Sequence, residues 1–314
     1  CDTPMFFDQH IRFHARDSKI KVDLHKMTEG RQDATIMVAY LEQKERTDEA
    51  LLATTAKADR LLNEIEEMVA MNCTAVDIAY SPNDLYRLKR EGKKAIMLGI
   101  ENGYAIGKDL SRVAHFRKRG VVYMTLCHNG NNDICGSARY NEENLGVTPF
   151  GEQVIQEMNR LGMMVDLSHS GERTFYETLD ISSQPVVCSH SSSRALCDHP
   201  RNLTDDQLRA IARKGGVVQV CLYSGFLRKE RPAHILDAIE HLNHMVNVMG
   251  IEHVGIGSDF DGDGGIIGCN DSSEMINLTR QLLHERYNEE DIRRIWGGNF
   301  LRVMQQVQEN SSYK

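Results

Sequence analysis

Met163-Met164-Val165-Asp166-Leu167-Ser168-His169 is a short apolar run that ends on a histidine, and Pro185-Val186-Val187-Cys188-Ser189-His190 repeats that arrangement one helical segment later. An unbroken apolar run of this length reads as a strand covered on both faces, because one wet face would impose alternation. Outward from these two, comparable runs occupy residues 35–39, 95–100, 121–126, 217–222 and 253–257, which with 163–167 and 185–189 makes seven candidate strands. Between them lie helical patterns with readable ends. Thr148-Pro149 supplies a cap and a first-turn proline, and Gly162 closes that helix. Thr204 is followed three residues later by Gln207, a capping-box signature, and Gly215-Gly216 stops the helix. Residues 44–72 read as one long helix with Leu51, Leu52, Leu61, Leu62, Ile65 and Met68 inward.

Strand–helix alternation implies a parallel sheet with helical crossovers. With 314 residues the chain nominally reaches two domains at about 150 residues each, but no Pro/Ser-rich linker divides it. The expectation is an α/β fold: one (β/α)8 barrel spanning residues 1–314, with its site at the C-terminal ends of the strands. Seven strands are visible where a barrel needs eight, so a strand ending just before Cys1 is expected upstream.

The composition is that of a soluble globular protein, with 41% hydrophobic and 26% charged residues. The formal charge of −8 and the lack of a basic stripe argue against nucleic acid as a partner. No stretch approaches the roughly 18 apolar residues of a transmembrane helix. Eight cysteines lie scattered, several inside apolar runs and none in C-x-x-C spacing. They read as small core residues of a reducing compartment, which places the protein in the cytoplasm. Beginning at Cys1 also matches a lipoprotein start, but Pro4-Met5-Phe6-Phe7 follows where a polar tether would be needed.

The polar residues that carry chemistry fall at strand ends: Glu101, His128, His169, His190 and Asp259. In a barrel these positions converge on one mouth. Neutral imidazoles with carboxylates suit zinc or a similar metal, and a carboxylate can bridge two of them, so the residues point to metal-assisted hydrolysis. Rival signatures fail. Residues 259–264 match half of a calcium loop but end in Asn270 where glutamate is needed. No P-loop, dinucleotide fingerprint, H-E-x-x-H or G-x-S-x-G occurs, and Ser168, Ser189 and Ser191 read as hydrogen-bond partners. The remaining histidines, His241 and His244 included, read as loop or helix-surface residues.

Glu101-Asn102-Gly103, His128-Asn129, Asp166-Leu167-Ser168-His169, Ser189-His190-Ser191-Ser192, Arg201-Asn202 and Gly257-Ser258-Asp259-Phe260-Asp261-Gly262 resemble, in order and spacing, the membrane (renal) dipeptidase family. Cys1-Asp2-Thr3-Pro4 resembles the family's H-x-D-x-P element without its histidine, which is expected immediately before Cys1. The resemblance implies a (β/α)8 barrel holding two Zn2+, whose activated hydroxide cleaves dipeptides. It implies Asp2 on the first metal, Glu101 between the two, and His169 and His190 on the second. It gives His128 the scissile carbonyl oxygen, Arg201 the terminal carboxylate, and Asp259 the substrate amine and its proton. Asp166 is expected to orient a ligand, and a homodimer follows from the resemblance alone. The alternatives are a related barrel hydrolase acting on another amide or a lactam, and a non-catalytic binding member of the fold. Loops 130–147 and 223–233 would set side-chain preference.

Overall fold

The computed structural model describes residues 1–312. Helices and strands alternate: α1 (Leu24–Glu29), β1 (Ala34–Tyr40), α2 (Asp48–Met71), β2 (Val76–Ile78), α3 (Pro82–Arg90), β3 (Lys94–Glu101), α4 (Ser111–Lys118) and β4 (Val121–Thr125). Then come α5 (Pro149–Leu161), β5 (Met164–Asp166), α6 (Glu172–Ile181), β6 (Val187–Cys188), α7 (Asp205–Arg213), β7 (Val217–Cys221), α8 (Ser224–Leu227), α9 (Ile235–Met249) and β8 (Val254–Gly257). The chain finishes with α10 (Met275–His284), α11 (Glu289–Arg293) and α12 (Asn299–Glu309).

All seven sequence-derived strands are present. They form a curled parallel sheet in the order β1-β3-β4-β5-β6-β7-β8. The strand that the sequence did not reveal, β2, has three residues and pairs with the start of β3 at Lys94–Ile96. It takes the edge of β3 that β4 takes further along, at Leu98–Glu101, because β1 covers the opposite edge throughout. A three-residue strand with Asp77 at its centre has too little periodicity to read.

Burial follows the strand period of two. Along β3, Ile96, Leu98 and Ile100 pack in the outer core beneath the helices, while Ala95 and Met97 pack in the inner one. Glu101 shares the parity of Ala95 and Met97, so the same alternation that builds the core turns its carboxylate inward at the strand's end. Gly99 lies between them, and a Cβ there would meet Val38 at 2.9 Å and Tyr123 at 3.1 Å. From below, α12 fills the inner core with Phe300, Val303, Met304 and Val307.

The helix ends match their signals. Thr148 caps α5 by accepting from Gly151 N, and Gly162 takes the left-handed conformation after it, at φ 72°. The Thr204–Gln207 capping box forms reciprocally. All eight cysteines are free; six are buried, Cys1 is half-buried and Cys73 is exposed. Among the described residues no helix is long and apolar enough to cross a membrane.

Strands β1 and β8 are the ends of the sheet path. The first residues bridge them at the top: the Cys1 amine donates to Ile36 O, Val38 N donates to Cys1 O, and Asp2 N donates to Phe260 O. Below that bridge lies a cavity of about 890 Å3 lined by Ile36, Val38, Met97, Tyr123, Ile256 and Phe300 among others.

Candidate metal centre

Each site residue sits where a strand gives way to its loop. Glu101 closes β3, His128 follows β4, His169 follows β5, His190 follows β6 and Asp259 follows β8. Three of them touch. His169 Nε2 lies 3.1 Å from Glu101 Oε1 and 3.0 Å from His190 Nε2, and His190 Nε2 is 3.5 Å from the same oxygen. His128 Nε2 stands 3.9 Å from Glu101 Oε1, and its ring packs on His169 at 4.1 Å between centroids. The ligand atoms of Glu101, His128 and His169 all lie within 4.8 Å of one another.

Asp2 and Asp259 come together around Gly262. A Cβ on Gly262 would meet Asp2 Oδ2 at 2.5 Å and Asp259 Oδ1 at 2.7 Å, so both carboxylates would have to shift to admit a side chain there. Asp2 is buried, and its Oδ1 has no hydrogen-bond partner. The left-handed region, uncommon outside glycine, is taken by His169 at φ 72° and Asp259 at φ 56°. Such backbone persists where surrounding structure holds it, and here it aims two site side chains.

Burial governs the electrostatics of this cluster. Burial, then the charges of Asp2 and Asp259, pushes Glu101 well above the usual carboxylate range. Burial raises Asp2 to about 7 and Asp259 to about 6. Burial, and then the Arg201 guanidinium, drives His169 and His190 well below the ordinary histidine value and takes His128 down to about 3. The imidazoles are therefore neutral, the form that binds metal. Two neutral Nε2 atoms 3.0 Å apart can share at most one proton between them, and a metal ion satisfies both lone pairs at once. This facing pair and the orphaned Asp2 oxygen fit a metal.

Arg201 lies beside this cluster. It is buried, its Nη2 donates to His190 O at 3.4 Å, and its guanidinium stacks over Phe226 at 5.3 Å. Its Nε has no partner, and among the described residues no carboxylate pairs with it. A buried guanidinium so placed has the geometry to accept an anionic group in bidentate fashion. Phe226, in the 223–233 loop, is buried against Arg201, His199 and Tyr223.

Two features were not legible. Asn129 accepts at the far nitrogen of His169, 3.2 Å from Nδ1, and Ser137 Oγ donates to His128 O at 2.6 Å. Asn129 adjoins His128 in sequence, the one signal that could have drawn notice. His241 corrects an expectation. It is not on the helix surface but 1% exposed, with Nδ1 accepting from Ser193 N at 3.1 Å and Nε2 3.3 Å from Leu227 O. His244 stays at the periphery, paired with Asp205 at 2.7 Å.

The family model described as membrane dipeptidase (peptidase family M19) matches residues 1–314. Dipeptidase tcpJ of Claviceps purpurea is 30% identical over 295 residues, covering 92% of this chain and 69% of that protein. Dipeptidase 3 of Mus musculus is 31% identical over 320 residues, covering 98% of this chain and 63% of that one. Across the curated relatives it matches first, the chain spans between just over half and about two thirds of their length. Among solved structures, the probable dipeptidase PvdM from Pseudomonas aeruginosa superposes with a TM-score of 0.90 at 28% identity, covering 95% of this chain and 91% of that one.

Proposed function

The chain belongs to the membrane dipeptidase family, peptidase family M19, and from that premise we propose that it is a metal-dependent hydrolase of the peptide bond in dipeptides. The observation that carries the proposal is the convergence of His169 and His190 Nε2 on Glu101, next to a buried arginine without a counter-ion.

Glu101, His169 and His190 would hold one metal, and Asp2 another, with Glu101 serving both. Zinc bound there would polarise the peptide carbonyl and acidify water near neutral pH. The chain's own residues do the rest. His128, kept neutral and packed between Tyr40 and His169, hydrogen-bonds the scissile carbonyl oxygen as charge develops on it. Arg201 pairs with the substrate's terminal carboxylate. Its Nη2 contacts the backbone carbonyl of His190, which puts the carboxylate site beside the residues that would hold the metal. Asp259 stands across Gly262 from Asp2, where it receives the substrate amine and returns a proton to the departing nitrogen.

The finer reading of the fold is a closed (β/α)8 barrel in a single domain. Its support is that the path-end strands, β1 and β8, are linked through the first residues, by Val38 N to Cys1 O and Asp2 N to Phe260 O. A homodimer is proposed on family likeness alone.

Metal analysis of the purified protein should find about two zinc ions per chain, with chelator-sensitive cleavage of simple dipeptides. In Arg201→Ala, kcat/KM for dipeptides with a free carboxylate should fall by about 10–100-fold, the worth of a charged hydrogen bond. Dipeptides amidated at the C-terminus should be nearly indifferent to the change. Tight metal without any dipeptide hydrolysis would transfer the site to another amide or a lactam, and no metal at all would make it a binding protein.

A further inference from the structure

His190 and His169 are aimed by residues outside the ligand set. Ser189 Oγ lies 2.8 Å from His190 Nδ1 and 2.6 Å from Asp166 Oδ2. Asp166 is fully buried beneath both histidines, and every group around it is a donor. Its Oδ1 accepts from Ser168 N at 3.0 Å and Ser189 N at 2.9 Å, while Oδ2 accepts from Thr125 Oγ1 at 2.6 Å and from the Ser189 hydroxyl. Backbone amides can only donate, so Asp166 is an acceptor on all sides. The single proton of Ser189 is thereby committed to Asp166, and its remaining lone pairs must accept. His190 Nδ1 therefore carries the proton that Ser189 receives.

We propose that Asp166 and Ser189 form a relay that fixes His190 as its Nδ1–H tautomer, and that Asn129 does the same for His169, so that both Nε2 atoms face the metal bare. Free imidazole favours the opposite tautomer, with Nε2 protonated, and a ligand left to that preference would have to surrender a proton or rotate before it could bind. The relay removes that cost in advance. Asp166, Ser189 and Asn129 are positioning residues and touch neither metal nor substrate. The two supports are unequal: the Ser189 contact is short and backed by a carboxylate, whereas Asn129 offers a neutral amide oxygen at 3.2 Å.

The inference rests on the metal reading above, so its test carries a readout that needs neither metal nor turnover. In 15N-resolved NMR of the metal-free protein, His190 should appear as the Nδ1–H tautomer, and in Ser189→Ala it should shift to Nε2–H. In zinc titrations against a chromophoric chelator, Ser189→Ala should bind about 10–100-fold more weakly. Ser189→Thr, which keeps the hydroxyl, should recover most of that affinity and the native tautomer. Asn129→Ala should give the smaller loss. An Nε2–H tautomer in the metal-free wild type, or equal zinc affinity in wild type and Ser189→Ala, overturns the relay. If the wild type takes up no zinc, the metal reading fails and the tautomer measurement alone decides the relay. If zinc binds and no dipeptide is cleaved, only the substrate assignment fails.

Discussion

His241 and the pair His169–His190 are equally buried, yet they are built for different purposes. At His241 both ring nitrogens meet backbone groups, Ser193 N on one side and Leu227 O on the other. That ring is a satisfied strut between α9 and the turn after His190. At His169 and His190 only Nδ1 meets a conventional acceptor, and the two Nε2 atoms converge on each other and on Glu101. Burial and depressed basicity are common to all three, so neither identifies a ligand. What separates them is the second nitrogen: partnered by backbone in the strut, turned toward the other ring and Glu101 in the centre.

The strongest way to break the comparison is to remove the carboxylate on which both centre histidines converge. Glu101→Gln should lose its metal and about 10³-fold or more in kcat/KM, the several kcal/mol that a catalytic metal supplies. Retained zinc content in that variant would show that the convergence on Glu101 is not a ligand set. Next in size is metal removal. At free zinc about 1,000-fold above its dissociation constant, binding stabilises the wild type by about 4 kcal/mol, seen as a higher Tm. His190→Ala should gain almost none of this.

The strut should answer the other way. His241→Ala leaves Ser193 N–H unpaired and opens a cavity, costing about 3–4 kcal/mol in urea unfolding, with zinc content per folded chain unchanged. The comparison fails if that variant folds normally but loses metal. The same pair of proteins tests protonation. Burial, reinforced by Arg228 and His244, holds His241 down to about 4 against an ordinary 6.5, despite the opposing pull of the Leu227 carbonyl and Asp237. As pH falls below about 6.5 the unfolded chain takes up this proton first, so the His241 contribution to stability is lost between about pH 6.5 and pH 4. Metal-free wild type and His241→Ala should therefore converge by about 3 kcal/mol between pH 7 and pH 4, a gap that would stay constant if His241 titrated normally.

How much of this was legible varied with the range of the interaction. The strand runs and the helix caps at Thr148 and Thr204 depend on neighbours within a turn or two, and they were found where the pattern put them. The strand-end placement of Glu101, His128, His169, His190 and Asp259 followed from the same periodicity. The short β2 was missed because three residues carry no period. His241 was misread because its spacing from His244 says nothing about which helix face the Ser193 turn will cover.

The sequence by itself determined the seven strands along the sheet path, the capped ends of the helices at Thr148 and Thr204, and the set of side chains delivered to one end of the sheet. Those are consequences of local periodicity, which each segment carries alone. Only the tertiary structure decided which nitrogen of each histidine is occupied, that Asp166 stands behind Ser189, and that Arg201 reaches the carbonyl of His190. Such assignments join residues from different strands and loops, and it is the curl of the parallel sheet that brings their hydrogen-bonding groups within 3 Å or so of one another.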